Sequence, residues 1–345
     1  MEHKSESQGK PSVAAIVLAA GAGTRMTDRS RAKVCHEVAP GRSAISFVLD
    51  QLAAAGVEVM SVVVGARAEE VKAEVTARRP GTLFAFQPQQ LGTGHATWCG
   101  AEPLLAAGAM KTFLVAMGDK MMTRGVAAKL LQRHFEASAD LTFAASLCSS
   151  DNEQGRVVLD DEGRPLGIVE VADLVAVRAW RALEAAYVEQ DPLPSWRVWE
   201  IVEAVLPASR KVPPVLKPLL AAAGEAPELT LRRTRELAPQ ARSTVALGKA
   251  HVDPDWIESR APLVNEALYV FSREALRCAL GCLAPDNAQG EVYLTDAVAL
   301  LRSRPEGFRL QVCEVGPDEL ASFNTQEELE AVRTRVASWL VAGEA

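Results

Sequence analysis

The stretch VAAIVLAAGAGTRM, Val13–Met26, joins a continuous apolar run to a glycine turn. An unbroken run of this kind predicts a strand buried on both faces, as in parallel sheets. Glycines directly after such a strand let backbone N–H groups approach a phosphate, because no Cβ intervenes. The turn follows neither of the common phosphate-loop patterns. Met26 stands where G-x-G-x-x-G would have its third glycine, and no G-K-[ST] follows. Arg25 inside the turn adds a planar fork and Lys33 a mobile point charge, a pairing that suits a polyphosphate.

Outward from this stretch, strand-like and helix-like segments alternate. Ile45, Val48, Leu49 and Leu52 recur at helical spacing, VMSVVVG reads as the next strand, and a helix is expected over 68–78. LFAFQ, TFLVAMGD and LTFAASL read as further strands, with helices from His95 to Leu105 and over 123–138. This order predicts a mostly parallel sheet flanked by helices, with ligands bound beyond the carboxyl ends of the strands. Gly21 to Arg25, Gln87 and Asp119 fall at such ends.

Near residue 150 the pattern changes. GRVVLDDEGRPLGIVE predicts a hairpin turning at Asp161–Gly163. Residues 174–262 are rich in proline and hold Trp180, Trp196, Trp199 and Trp256, four of the six tryptophans. A flexible segment is usually poor in aromatics, so an inserted, mainly helical subdomain is expected, with helices at 175–190 and 197–205. The α/β pattern resumes at NEALYVFS. A helix to Leu283 and the strand RLQVCEVG follow, then a terminal helix opened by the capping-box spacing of Thr325 and Glu328. The expected organisation is a polar, disordered 1–12, a core built from 13–173 and 263–345, and the 174–262 insertion.

Composition narrows the function classes. Apolar residues make up 48% of the 345, and 37 Lys and Arg stand against 44 Asp and Glu, a net −7. No basic excess points to nucleic acid. No apolar run reaches membrane-helix length, and the N-terminus lacks signal-peptide regions. Six scattered cysteines form no metal-ligand pattern, which reads as a reducing cytoplasm. Oligomeric state is open at this level.

LAAGAGTRM with AKVCHEV (32–38), QLGTGHA (90–96), Gly118-Asp119, GRVV with GIVE, and DNAQGEVYLTD (286–296) occur in this order. Together they resemble the sugar-1-phosphate nucleotidyltransferases, in particular the uridyltransferase domains of bifunctional N-acetylglucosamine-1-phosphate uridyltransferase/glucosamine-1-phosphate acetyltransferases. The likeness covers 12–173 and 262–335. It implies an α/β fold with a Rossmann-like, mostly parallel sheet of the nucleotide-diphospho-sugar transferase type. It also implies that a sugar 1-phosphate attacks the α-phosphate of a nucleoside triphosphate, UTP by these motifs, with Mg2+ as cofactor.

The resemblance carries roles onto matching positions. Arg25 would hold the departing pyrophosphate and Lys33 the α-phosphate, Gly21 and Gly23 would present N–H groups to the triphosphate, and Leu18 and Ala20 would also bind the nucleotide. Gln87 would contact the base, and Gly92 and Thr93 the base and ribose. Asp119 and Asn324 would ligate Mg2+, although Asn324 also reads as part of the adjacent helix cap. Gly155, Glu170, Asn265 and Thr295 would form the sugar side. His36 and His95 lie within motifs and read as packing or backbone hydrogen-bonding groups rather than proton-transfer groups.

Four departures mark this sequence. Ala32 replaces the proline before Lys33, and Lys120-Met121-Met122 follows Asp119 where the family has a proline-containing turn. Lys120 there reads as a phosphate ligand or a solvated side chain. Asn265-Glu266-Ala267 replaces N-T-G at the sugar site, and the segment between Glu170 and Asn265 is extra. No hexapeptide repeats of an acetyltransferase half are present. Three alternatives stand beside the leading reading. These are a non-sugar phosphate acceptor, a catalytically silent nucleotide-sugar sensor, and an insertion that serves as a protein-interaction platform.

Overall fold

All seven residues of the strand Val13–Ala19 (β1) are buried, as the unbroken apolar run predicts. The computed structural model describes residues 12–149, 153–209 and 211–344, so the disorder expected for 1–12 falls almost wholly outside the described residues. The main sheet there continues with β2 (Val59–Val64), β3 (Leu83–Phe86), β4 (Thr112–Met117) and β5 (Leu141–Leu147). It is completed by β6 (Arg156–Leu159), β7 (Pro165–Val169), β8 (Leu263–Ser272) and β9 (Leu310–Glu314). β3, β2, β1 and β4 are parallel neighbours in that order. β8 runs antiparallel to both β4 and β5, and β9 lies parallel to β5. The β6–β7 hairpin joins the start of β8. The result is the mostly parallel, helix-flanked sheet expected.

Alternation along β1 divides the core in two. Ala15, Val17 and Ala19 pack with residues of the helices Ala44–Ala54, Ala68–Arg78 and Val126–Glu136. Ala14, Ile16 and Leu18 pack with the helices Thr93–Ala106, Arg273–Leu280 and Asp296–Arg302. A third cluster joins Met26, Phe47, Met121 and Phe323 to the terminal helix Gln326–Ala342 through Leu329, Val336 and Trp339. Met26 is therefore an anchor. Its buried side chain ties the glycine turn to the C-terminal segment.

Beyond Glu170 the chain is mainly helical, with helices Val171–Glu189, Ser195–Glu203, Lys217–Glu225, Leu231–Leu237 and Pro254–Ser259. The first two begin a few residues earlier than the sequence pattern suggests. Trp180, Leu183, Val198, Leu219 and Leu229 share a separate apolar cluster. The tryptophan argument holds for Trp180 alone. Trp196 is 67% exposed, and Trp199 and Trp256 also reach the surface. Among the described residues no helix is long and apolar enough to cross a membrane.

Candidate active site

The glycine turn leaves the carboxyl end of β1, with Gly118 and Asp119 just past the end of β4. A three-pair ladder decides what else arrives there. Lys120–Met122 pairs antiparallel with Leu320–Ser322, so that Ser322 lies opposite Lys120. That register brings Asn324 beside Asp119. Lys33 Nζ donates to Asp119 Oδ2 and, at 3.0 Å, to Asn324 Oδ1. Arg25 donates to the same Asn324 oxygen at 2.7 Å. Lys33 also lies 5.4 Å from the centre of the Phe323 ring.

Four residues from three remote stretches thus meet at one point. Asn324 also takes part in the start of the adjacent helix, by different atoms. Its backbone N–H is bonded by Glu328, while Thr325 Oγ1 accepts from the Glu328 N–H at 3.2 Å.

Gly23 has φ +60°, and a Cβ on it would stand 2.9 Å from the Cβ of Lys33. Gly21 is exposed, and nothing lies within 4 Å of where its Cβ would be. The fold therefore requires glycine at 23 and leaves open space at 21. Leu18 and Ala20 are buried, and their carbonyls are occupied by the Gly118 N–H at 2.9 Å and by Gln90 Nε2 at 3.0 Å.

QLGTGHA and GEVYLT meet each other. The Val292 N–H donates to Leu91 O at 2.7 Å, the Gly94 N–H to Val292 O at 2.8 Å, and the Leu294 N–H to Thr93 Oγ1 at 3.0 Å. Gln87 is 5% exposed, and its Nε2 lies 3.2 Å from Gly92 O and 3.1 Å from His95 Nδ1. His95 thus orients Gln87 through its side chain, not through the backbone hydrogen bond expected. His36 is buried in packing.

The sugar-side residues also converge. Thr295 Oγ1 donates to Glu170 Oε1 at 3.0 Å, and the Asn265 N–H donates to Gly155 O at 2.9 Å. A Cβ on Gly155 would stand 3.2 Å from Glu170 Oε1. Asn265 Nδ2 donates to Tyr269 Oη at 2.7 Å, and Asn265 Oδ1 accepts from the Ala267 N–H at 3.1 Å. Burial pushes the Glu170 carboxyl up, against the pull of the Thr295 hydroxyl and the Lys211 ammonium.

Lys120 neither faces solvent nor stands free for a phosphate. Its Nζ donates to Glu266 Oε2, and Ser146 Oγ donates to Glu266 Oε1 at 2.5 Å. Two of the four sequence departures are one feature. Ala267, where the family pattern has glycine, holds φ +51°. Ser146 and Gln90 were not legible as site residues, because each acts through a contact far along the chain, and Tyr269 because its bond to Asn265 depends on the bulge in β8.

A cavity of about 470 Å³ lies beside the helices Val171–Glu189 and Asp296–Arg302. Its lining includes Asp173, Asp296, Arg242, Val245, Leu247 and Lys249. Burial, and for Asp296 also the neighbouring Asp173 charge, push both carboxyls from 3.8 up to about 7. A raised carboxyl favours folding fully below its ordinary pKa, and that contribution is lost as pH rises through about 7. Asp296→Asn should therefore melt about 2 °C or more above the parent protein at pH 8. The gap should close as pH falls toward 4. Loss of the helix-dipole interaction opposes this by less than about 1 kcal/mol, and only above about pH 7, where the carboxyl is charged. Melting curves across this range check the expectation, and a constant gap would refute it.

Residues 14–174 match the profile of the family described as Nucleotidyl transferase. The bifunctional protein GlmU of Shouchella clausii is 36% identical over 292 residues, covering 85% of this chain and 45% of that protein. GlmU of Thermobifida fusca is 28% identical over 326 residues, covering 94% and 48%. GlmU of Mycolicibacterium gilvum is 29% identical over 294 residues, covering 84% and 42%. The chain spans less than half the length of these relatives. A solved structure of a candidate glucose-1-phosphate thymidylyltransferase from Bacillus anthracis superposes with a TM-score of 0.56 over 94% of each chain. At 11% identity this is a likeness of fold alone.

Proposed function

The chain belongs to the nucleotidyltransferases, and we propose that it transfers a uridylyl group from UTP to a sugar 1-phosphate. The observation that carries this reading is the convergence of Arg25, Lys33, Asp119 and Asn324 at the carboxyl ends of β1 and β4. A phosphate oxygen of the acceptor attacks the α-phosphorus of UTP. The bond to the β-phosphate breaks and pyrophosphate leaves. Such a reaction needs positioning and charge neutralisation rather than a covalent nucleophile.

Asp119 and Asn324 offer two hard oxygens to one cation, at present the Lys33 ammonium, and this donor set suits Mg2+. They would hold the ion, which supplies charge neutralisation to the phosphates when bound. No cluster of three or more His, Cys, Asp or Glu among the described residues suits a metal, so phosphates and water would complete its shell. Lys33 then turns to the α-phosphate. Arg25, exposed at the turn, holds the β- and γ-phosphates, and Gly21 leaves room for them beside its N–H.

At the base, Gln87 has its Nε2 engaged by Gly92 and His95, which directs Oε1 to accept from a pyrimidine N3–H. Thymine offers the same edge, so the ribose side must separate UTP from dTTP. Glu170, Asn265 and Thr295 would receive the acceptor.

The test is pyrophosphate release from UTP, dTTP, CTP and GTP with Mg2+, each against sugar 1-phosphates and non-sugar phosphates. Release with UTP and a sugar 1-phosphate supports the reading. Release with another base moves the base assignment, and release with a non-sugar phosphate alone replaces the acceptor. Binding of nucleotide-sugar with no release by any combination favours a silent sensor.

A further inference from the structure

We propose that the Lys120–Glu266 ion pair is a positioning element that sets the acceptor end of the site. The inference rests on the nucleotidyltransferase reading above. Lys120 directly follows Asp119, and Glu266 directly follows Asn265. Their side chains are only 12% and 7% exposed. The bond between them therefore links the phosphate end of the site to its acceptor end.

The backbone is shaped around this pair. The pairing of β8 with β5 shifts register between Asn265 and Tyr269. A bulge of this kind re-aims side chains. Here it allows Asn265 to reach Tyr269 while Glu266 turns to Lys120 and Ser146. The Ala267 N–H closes the turn on Asn265 Oδ1. Ala267 holds φ +51°, a region disfavoured for a residue with a Cβ. The bulge in β8 accepts this strain to keep Glu266 inward.

A buried ion pair adds little net stability, because desolvation offsets the attraction, whereas removing one partner leaves an uncompensated charge. Its effect is geometric. With Lys120 in place, Glu266 is neutralised and Asn265 is held at one position beside Gly155. Without Lys120, an unpaired carboxylate stands next to the residue meant to receive a phosphorylated acceptor.

The experiment is a double-mutant cycle with Lys120→Met, Glu266→Gln and both together, with Lys120→Arg as the conservative variant. Each neutralising single change should raise the acceptor KM by about tenfold or more while the UTP KM stays within about threefold. The double variant should be no worse than the poorer single, and Lys120→Arg should stay near the parent. Equal shifts in both KM values, or single effects that multiply, would overturn the proposal.

Hydrogen exchange on the same proteins decides the structural claim without substrate. Exchange at Ala267 and Leu268 should rise by about tenfold in each neutralising single variant, with β1 unchanged as the control for intact folding. Absence of that local change overturns the proposal. Absence of pyrophosphate release in the parent protein overturns the functional reading alone.

Discussion

Asp119→Asn should lower pyrophosphate release by about a thousandfold and leave the fold in place. The substitution is nearly isosteric. Asparagine keeps an acceptor for Lys33 but removes the negative charge, and with it the carboxylate that a divalent cation needs. Lys33 keeps its 3.0 Å bond to Asn324, and it is partly solvated, so its ammonium is not stranded. The stability loss should stay near 1 kcal/mol, the scale of an ion pair close to the surface. Steady-state release at saturating UTP and Mg2+, read beside a melting curve, separates these effects. A loss smaller than tenfold in a well-folded variant would remove Asp119 from the catalytic assignment.

Gly92→Ala is expected to lower stability by about 3 kcal/mol or more. Two physical terms act together. Gly92 has φ +103° and ψ 176°, a region that side chains rarely enter. Its Cβ would also stand 2.6 Å from Val292 O and 2.9 Å from Val292 N, both backbone atoms that cannot rotate away. The strain falls on the bonds that join Leu91, Thr93 and Gly94 to Val292 and Leu294. UTP binding should weaken with it, because Gln87 is held by Gly92 O.

Gly21→Ala is the contrast. Nothing lies within 4 Å of its Cβ position, so melting should be unchanged while turnover falls, as a methyl group enters the space assigned to phosphate. Differential melting and calorimetric titration with UTP measure both. If Gly92→Ala melts within a degree of the parent, the account of the 91–94 turn is wrong.

Much of the frame was readable from short-range pattern. Helices Ala44–Ala54, Ala68–Arg78 and Thr93–Ala106 lie where apolar spacing puts them. The 156–169 hairpin and the Thr325 cap do too. These depend on neighbours within a turn or a strand, which is the range over which periodicity and capping act. The family motifs pointed to Lys33, Asp119, Asn324 and the Gly155–Glu170–Asn265–Thr295 group. The structure brings Asp119 and Asn324 to Lys33, Thr295 to Glu170, and Asn265 to Gly155.

The sequence by itself determined the alternation of strands and helices, the turn after β1, and the residue types available to handle a phosphate. The tertiary structure alone decided which of them meet. Asn324 reaches Lys33 across 291 positions because Ser322 pairs with Lys120 in one register of a short ladder. Lys120 and Glu266, read separately as a solvated or phosphate-binding lysine and an added carboxylate, become one buried pair 146 positions apart. Three of the four tryptophans that suggested a core lie at the surface. Burial and pairing between distant segments depend on how sheets and helices close on one another, and no local pattern encodes that closure.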